Sequence, residues 1–178
     1  MALILLRHTT PEVPPNVCYG QTDLDVTATF ETESAKACAA LPTVRLVVTS
    51  PLIRCRRLAD FVGQQLKLPV EEDCRLMEMD FGTWEGQAWS AVPRAEIDAW
   101  AEDFLHARPH GGESVAELRA RTTDVLMDWS DSYGSTLVVT HSGVIRAALA
   151  TGDTVGDFNT RIDFGNFITT PQAQGVPN

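Results

Sequence analysis

Three short apolar runs punctuate the chain: Leu3 to Leu6, Leu46 to Val48 and Leu137 to Val139. None alternates with polar residues, so each predicts a strand buried on both faces. Between and after them, apolar positions recur at helical spacing. This predicts helices over Glu31 to Leu41, Leu52 to Leu66, Ser90 to Ala107, Val115 to Trp129 and Val144 to Thr151. Pro69 to Leu76 is a candidate further strand, and Phe164 to Ile168 a candidate last one. Buried strands alternating with helices predict an α/β fold, a three-layer α/β/α arrangement around a mainly parallel central sheet. The 178 residues suit a single domain over residues 1–178 with one sizeable core.

The residues just after each apolar run turn the picture from architecture to chemistry. The first run ends in Arg7-His8-Thr9-Thr10, the second in Thr49-Ser50-Pro51-Leu52-Ile53-Arg54, the third in Thr140-His141-Ser142-Gly143. Parallel α/β sheets bind ligands at the carboxyl ends of their strands, so the three clusters are expected to meet in one crevice. Ser50 and Pro51 read as an N-cap and first helical residue, which places Arg54 in the opening turns of its helix. Ser142-Gly143 opens another helix, whose backbone N–H groups are candidates for a phosphoryl oxygen.

Arginine and histidine converging at strand ends suit an anion. Phosphoryl transfer needs a nucleophile, positive charge on the equatorial oxygens and an acid for the leaving oxygen. His8 as a neutral imidazole fits the first role. Arg7, Arg54 and a protonated His141 fit the second. The acid is sought in the segment from Leu76 to Gly86, where Glu78 is the first candidate and Asp80 the runner-up; its glycines and aromatics suggest a loop closing over a site.

Charge and cysteine usage narrow the partners. A formal net charge of -10 argues against nucleic acid and anionic membrane surfaces, yet a few converging arginines still accommodate a small phosphorylated substrate. No apolar stretch is long enough to span a membrane, and Ala2 to Leu6 is too short for a signal peptide core, so the cytoplasm is expected. Cys18, Cys38, Cys55 and Cys74 are scattered without a C-x-x-C pair, and the histidines lack metal-ligand spacing. No metal and no cofactor are therefore expected, and the thiols read as reduced and mostly buried. The sequence leaves the oligomeric state open.

From Leu3 to about Leu149 the chain resembles the histidine phosphatase superfamily, the phosphoglycerate mutase-like group. The matching pieces are Leu-Leu-Arg7-His8-Thr9, Ser50-Pro51-Leu52-Ile53-Arg54, Leu76-Met77-Glu78 with Phe81-Gly82-Thr83-Trp84-Glu85-Gly86, Gly112-Glu113-Ser114 and Val139-Thr140-His141-Ser142-Gly143. The resemblance implies a phosphoglycerate mutase-like fold and a metal-independent phosphatase working through a phosphohistidine. It implies His8 as nucleophile, Arg7, Arg54 and His141 as phosphoryl ligands, and Glu78 as proton donor. Two positions depart from the family pattern. Thr9 stands where glycine is usual, and Pro14 where many members carry asparagine. Thr9, Thr10 and Asn16 are the candidates to supply the missing neutral contact.

Within the group, Cys18-Tyr19-Gly20-Gln21-Thr22-Asp23 is similar to a segment of α-ribazole phosphatases, which remove the 5′-phosphate from α-ribazole phosphate in cobalamin biosynthesis. Tyr19, with Trp84 opposite, is then expected to stack on an aromatic base. The alternatives are a broad-specificity sugar or nucleotide phosphatase, a phosphoglycerate mutase and an inactive binding module on the same fold. A mutase must hold a phosphorylated sugar acid, whereas Gln87 to Ala107 offers only Arg94 and His106 as basic residues. The presence of all five core residues argues against the inactive module.

Overall fold

A computed structural model describes residues 3–130 and 135–170. Its centre is a five-stranded sheet in the order β3-β2-β4-β1-β5. The strands are β1 (Leu3–Arg7), β2 (Leu46–Thr49), β3 (Val70–Glu72), β4 (Thr136–Thr140) and β5 (Phe167–Thr169). β1 and β2 both pair in parallel with β4, β3 pairs in parallel with β2, and β5 runs antiparallel along β1.

The apolar runs are continuous because helices cover both sheet faces. Leu3 and Leu5 pack into a cluster with Val138, Leu118 and Ile145, on the side of α4 (Val115–Ser130) and α5 (Ser142–Leu149). Ile4 and Leu6 point the other way, into a cluster with Leu58, Val62 and Ala37 from α2 (Ile53–Leu66) and α1 (Phe30–Ala40). Successive side chains of one strand thus serve different helical layers, as the pleat requires. This gives the expected three-layer α/β/α fold.

Several element boundaries differ from the sequence expectation. The helix expected over Ser90 to Ala107 is only α3 (Arg94–Glu102), entered through Pro93 and stopped at Asp103. Proline disfavours helical backbone in the residue before it and so fixes the late start. α2 begins at Ile53 with Leu52 as its N-cap, so Ser50 stands two residues before the cap, where its hydroxyl accepts from the Leu52 N–H at 3.4 Å. Only Val70–Glu72 of the Pro69 to Leu76 stretch is strand; Cys74–Leu76 tighten into a 3-10 turn. The last strand comprises Phe167–Thr169 and leaves Phe164 outside it.

Between β3 and α4 the chain makes a long excursion that docks on the loop after β1. Val17 bridges to Ala88, and Cys18 exchanges backbone hydrogen bonds with Gln87 and Gly86. A small satellite core of Cys18, Trp84 and Val92 seals the contact. At the excursion's end, Ser114 and Glu117 form a reciprocal cap that starts α4.

Candidate active site

The three strand-end clusters do meet. His8 extends the β1–β4 pairing through its backbone N–H, which donates to the Thr140 carbonyl at 3.0 Å. The His8 ring lies 5.2 Å from that of His141, centroid to centroid, and both side chains are buried. His8 Nδ1 is 2.7 Å from the Thr9 carbonyl oxygen. A carbonyl only accepts, so this contact puts the ring proton on Nδ1 and leaves the Nε2 lone pair available. Burial first, then the nearby Arg54 and Arg7 charges, push the His8 pKa well below its ordinary value. The imidazole is therefore neutral near neutral pH, as a nitrogen nucleophile must be.

Arg54 is fully buried, and the loop after β1 holds it. Its Nη1 donates to the Thr22 carbonyl at 2.9 Å and its Nη2 to the Gly20 carbonyl at 2.5 Å. Glu85 in turn fixes that loop. Its carboxylate accepts the backbone N–H of Gln21, Thr22 and Phe81 and the Thr22 hydroxyl. Arg7 donates from Nη1 to the Ile162 carbonyl at 2.7 Å, and Phe164 lies under its guanidinium at 3.8 Å. The Nε–H groups of Arg7 and Arg54 are both buried with no hydrogen-bond partner. Surface arginines such as Arg57 and Arg119 pair with carboxylates, whereas Arg7 and Arg54 have no ion pair among the described residues. The fully buried Arg54 and the half-buried Arg7, each with a buried donor left unused, make a candidate anion site.

His141 corrects one expectation. It is the N-cap residue of α5 and contacts the Ser50 hydroxyl at 2.8 Å and the Cys55 sulfur at 3.4 Å. Burial above all, with the Arg54 charge adding to it, pushes its pKa well below the ordinary value. In this structure the arginines therefore carry the positive charge. A phosphoryl dianion beside His141 works in the opposite sense and favours its protonation.

Glu78 sits on the amino end of α5. Its Oε2 accepts from the Gly143 N–H and its Oε1 from the Met79 N–H, both at 3.0 Å. A Cβ at position 143 would lie 2.2 Å from Glu78 Oε1, so any side chain there would displace the Glu78 carboxylate. The Gly143 N–H, expected to meet a phosphoryl oxygen, is thus taken by Glu78. Asp80 instead accepts from the Gly82 N–H at 2.8 Å and closes a turn.

The other expected contacts divide. Thr9 is buried; its carbonyl orients His8 while its hydroxyl has no partner. Ser142 lines a cavity beside Glu78. Tyr19 is half-buried with the Arg54 guanidinium 5.4 Å from its ring centre, so it belongs to the arginine end of the site. Asn16 lies on an exposed turn in left-handed backbone, φ 62°, and its carbonyl accepts from the Trp89 N–H; none of these contacts reaches His8. Thr10 binds Glu33. Trp84 is 1% exposed and donates to Glu96 at 2.7 Å, so it is a core residue and offers no open face for a base.

Sequence reasoning missed Cys55 and Phe164, and gave Ser50 the wrong task. It also missed Arg121, which clamps the carbonyls of Arg75, Met77 and Glu78 while pairing with Glu113. The Gly112-Glu113-Ser114 motif was the available signal for that clamp. Among the described residues no group of three or more histidines, cysteines or acidic residues is placed to hold a metal ion. No described helix is long and apolar enough to cross a membrane. Cys18 and Cys55 are buried, Cys38 is half-buried and Cys74 is exposed; none forms a disulfide.

Known proteins resemble this chain in sequence and in fold. The chain is 32% identical over 110 residues to the adenosylcobalamin/alpha-ribazole phosphatase of Escherichia coli K12, a match that covers 59% of this chain and 54% of that protein. It thus spans about half the length of that relative. It is 29% identical to the uncharacterized phosphatase PhoE of Bacillus subtilis 168, over 83% of this chain and 75% of that one. The native structure of mycobacterial glucosyl-3-phosphoglycerate phosphatase superposes with a TM-score of 0.80 at 26% identity, over 94% of this chain and 88% of that one. The sequence profile of the histidine phosphatase superfamily (branch 1) matches residues 3–161, and the chain belongs to that family.

Proposed function

We propose that this protein is a metal-independent phosphomonoester hydrolase that passes the phosphoryl group through His8. The observation that carries the reading is the His8 ring itself. It is neutral, its Nδ1 proton is held by the Thr9 carbonyl, and it lies beside two arginines with unused buried donors. His8 Nε2 attacks phosphorus while Arg7 and Arg54 bear the charge on the equatorial oxygens. His141 contributes a hydrogen bond and, once protonated, a further charge. Glu78 gives its proton to the leaving oxygen, and the P–O bond breaks as the P–N bond forms. Water then attacks the phosphohistidine, Glu78 accepts its proton, and inorganic phosphate leaves. The arginines supply the charge stabilisation that a metal ion provides in other phosphatases.

The test is to trap the intermediate. Alkaline quenching and mass spectrometry of enzyme mixed with phenyl phosphate should place the label on His8. Labelling that persists undiminished in His8→Ala contradicts the mechanism. Activity should survive exhaustive chelation with EDTA; loss restored by a divalent ion contradicts metal independence.

For the natural substrate we propose a nucleoside-like 5′-monophosphate of the α-ribazole type, in preference to a phosphoglycerate. The Escherichia coli relative's name supports this, as does the scarcity of cations from Gln87 to Ala107. Arg94 there is exposed and paired with Asp98. Comparing kcat/KM for α-ribazole phosphate and 3-phosphoglycerate decides it, and equal values reject it.

A further inference from the structure

A cavity of about 350 Å³ opens against Glu78, and its lining is of two chemical kinds. Glu78, Ser142, Gly143, Arg146 and Asn159 are its polar members. The rest of the lining is apolar and rich in rings, including Phe81, Trp100, Phe104 and Phe158. The rings form one wall: Trp100 to Phe104 is 5.7 Å between centroids, and Phe104 to Phe158 is 5.3 Å. Glu78 borders both this space and the phosphoryl site: it lines the cavity, and its Oε2 accepts from the Gly143 N–H, two residues after His141, whose ring lies 5.2 Å from that of His8. The leaving oxygen must lie next to the acid that protonates it, so the group attached to that oxygen extends into the cavity.

We propose that this cavity is the leaving-group pocket and that it selects phosphomonoesters of a flat, apolar ring system, with Trp100, Phe104 and Phe158 as specificity-determining residues. The proposal rests on the phosphomonoesterase reading above. A volume of this size is at the lower end of small-molecule sites and accommodates a fused two-ring group. Ring faces stack on such a wall, and the buried apolar area favours binding. A base edged with amide and carbonyl groups all round would press some of them against the ring wall, where they lose water without a partner, which costs affinity. The selectivity is therefore for rings with little polar edge.

Comparing 2-naphthyl phosphate with phenyl phosphate isolates the effect, since the two leaving groups are similar phenols and differ by one ring. The wild-type kcat/KM should favour 2-naphthyl phosphate by about 10- to 100-fold, the range for a modest apolar increment in a fitted pocket. Phe104→Ala should bring the ratio towards one, with a clearly larger loss on 2-naphthyl phosphate than on phenyl phosphate. Val155→Trp, on the exposed rim of the cavity, should depress the naphthyl ester selectively. A wild-type ratio near one, or equal losses on both esters in both variants, overturns the proposal. Phosphohistidine trapping with phenyl phosphate separates the two levels: absence of the label rejects the mechanism, whereas normal labelling with no ring preference rejects the pocket alone.

Discussion

The sheet end and the excursion over it are built by different means. His8, Arg54 and His141 are at most 1% exposed and stand on or just after strands and a helix that belong to the main core. The excursion from Asp73 to Ser114 has one short helix with no buried residue and is held by side chains bonded to backbone. Asp73 binds the Arg75 N–H, Glu85 three backbone N–H groups, and Arg121 three carbonyls. In the proposed mechanism the sheet end carries the charge and the nucleophile, which every substrate needs. The excursion carries Glu78 and most of the ring wall, which in the proposed complex meet the part of the substrate that varies. Rigid elements hold the invariant chemistry, and replaceable loops hold the selectivity.

Substitutions in the two regions should therefore fail differently. The largest effect is expected at the sheet end. His8→Ala should lower kcat on every phosphate ester by about 10⁴-fold or more, the scale of losing a nucleophile, in steady-state assays. Arg54→Ala should lose the anion site, which is measurable without turnover. Inorganic phosphate at 100 times its Kd should stabilise the wild type by about 2.7 kcal/mol in thermal melts, and this gain should vanish in the variant.

In the excursion the effect should depend on the substrate. Glu78→Gln should cost about 10² to 10⁴-fold on alkyl phosphates, whose leaving groups need a proton, and far less on aryl phosphates. Gly143→Ala should give the same pattern more weakly by displacing Glu78. Asp80→Asn should be mild; a larger loss than in Glu78→Gln would reassign the acid.

Smaller effects concern stability. Glu85→Ala strips partners from three backbone N–H groups and should cost about 1–3 kcal/mol in urea unfolding. The buried His8 and His141 bind protons less readily in the folded state than in the unfolded one, since burial lowers both pKa values. Their contribution is full above the ordinary histidine pKa, about 6.5, and is lost as pH falls below it. The urea midpoint should decline from pH 6.5 to 5, and the decline should be shallower in His8→Asn/His141→Asn.

The same division explains what was legible in the sequence. Strand cores announce themselves by uninterrupted apolar runs, and Arg7, His8, Arg54 and His141 come after those runs at fixed offsets. Their convergence is a consequence of parallel strand topology. The ring wall does not announce itself. Phe104 and Phe158 are far apart in the chain and meet only through tertiary packing, while Trp84, within a recognisable motif, turns inward to Glu96. Ser50 looks like a cap locally, yet its hydroxyl pairs with a histidine 91 residues away. Local propensity reads neighbours along the chain and is blind to such partners.

The orientation of His8 comes from the main chain: the acceptor for its ring proton is a peptide oxygen, which every amino acid supplies. The identity of residue 9 is thereby uncoupled from the task of setting the tautomer. That uncoupling lets a β-branched threonine occupy a place where the family usually has glycine, and it leaves this position open to drift without loss of the nucleophile's alignment.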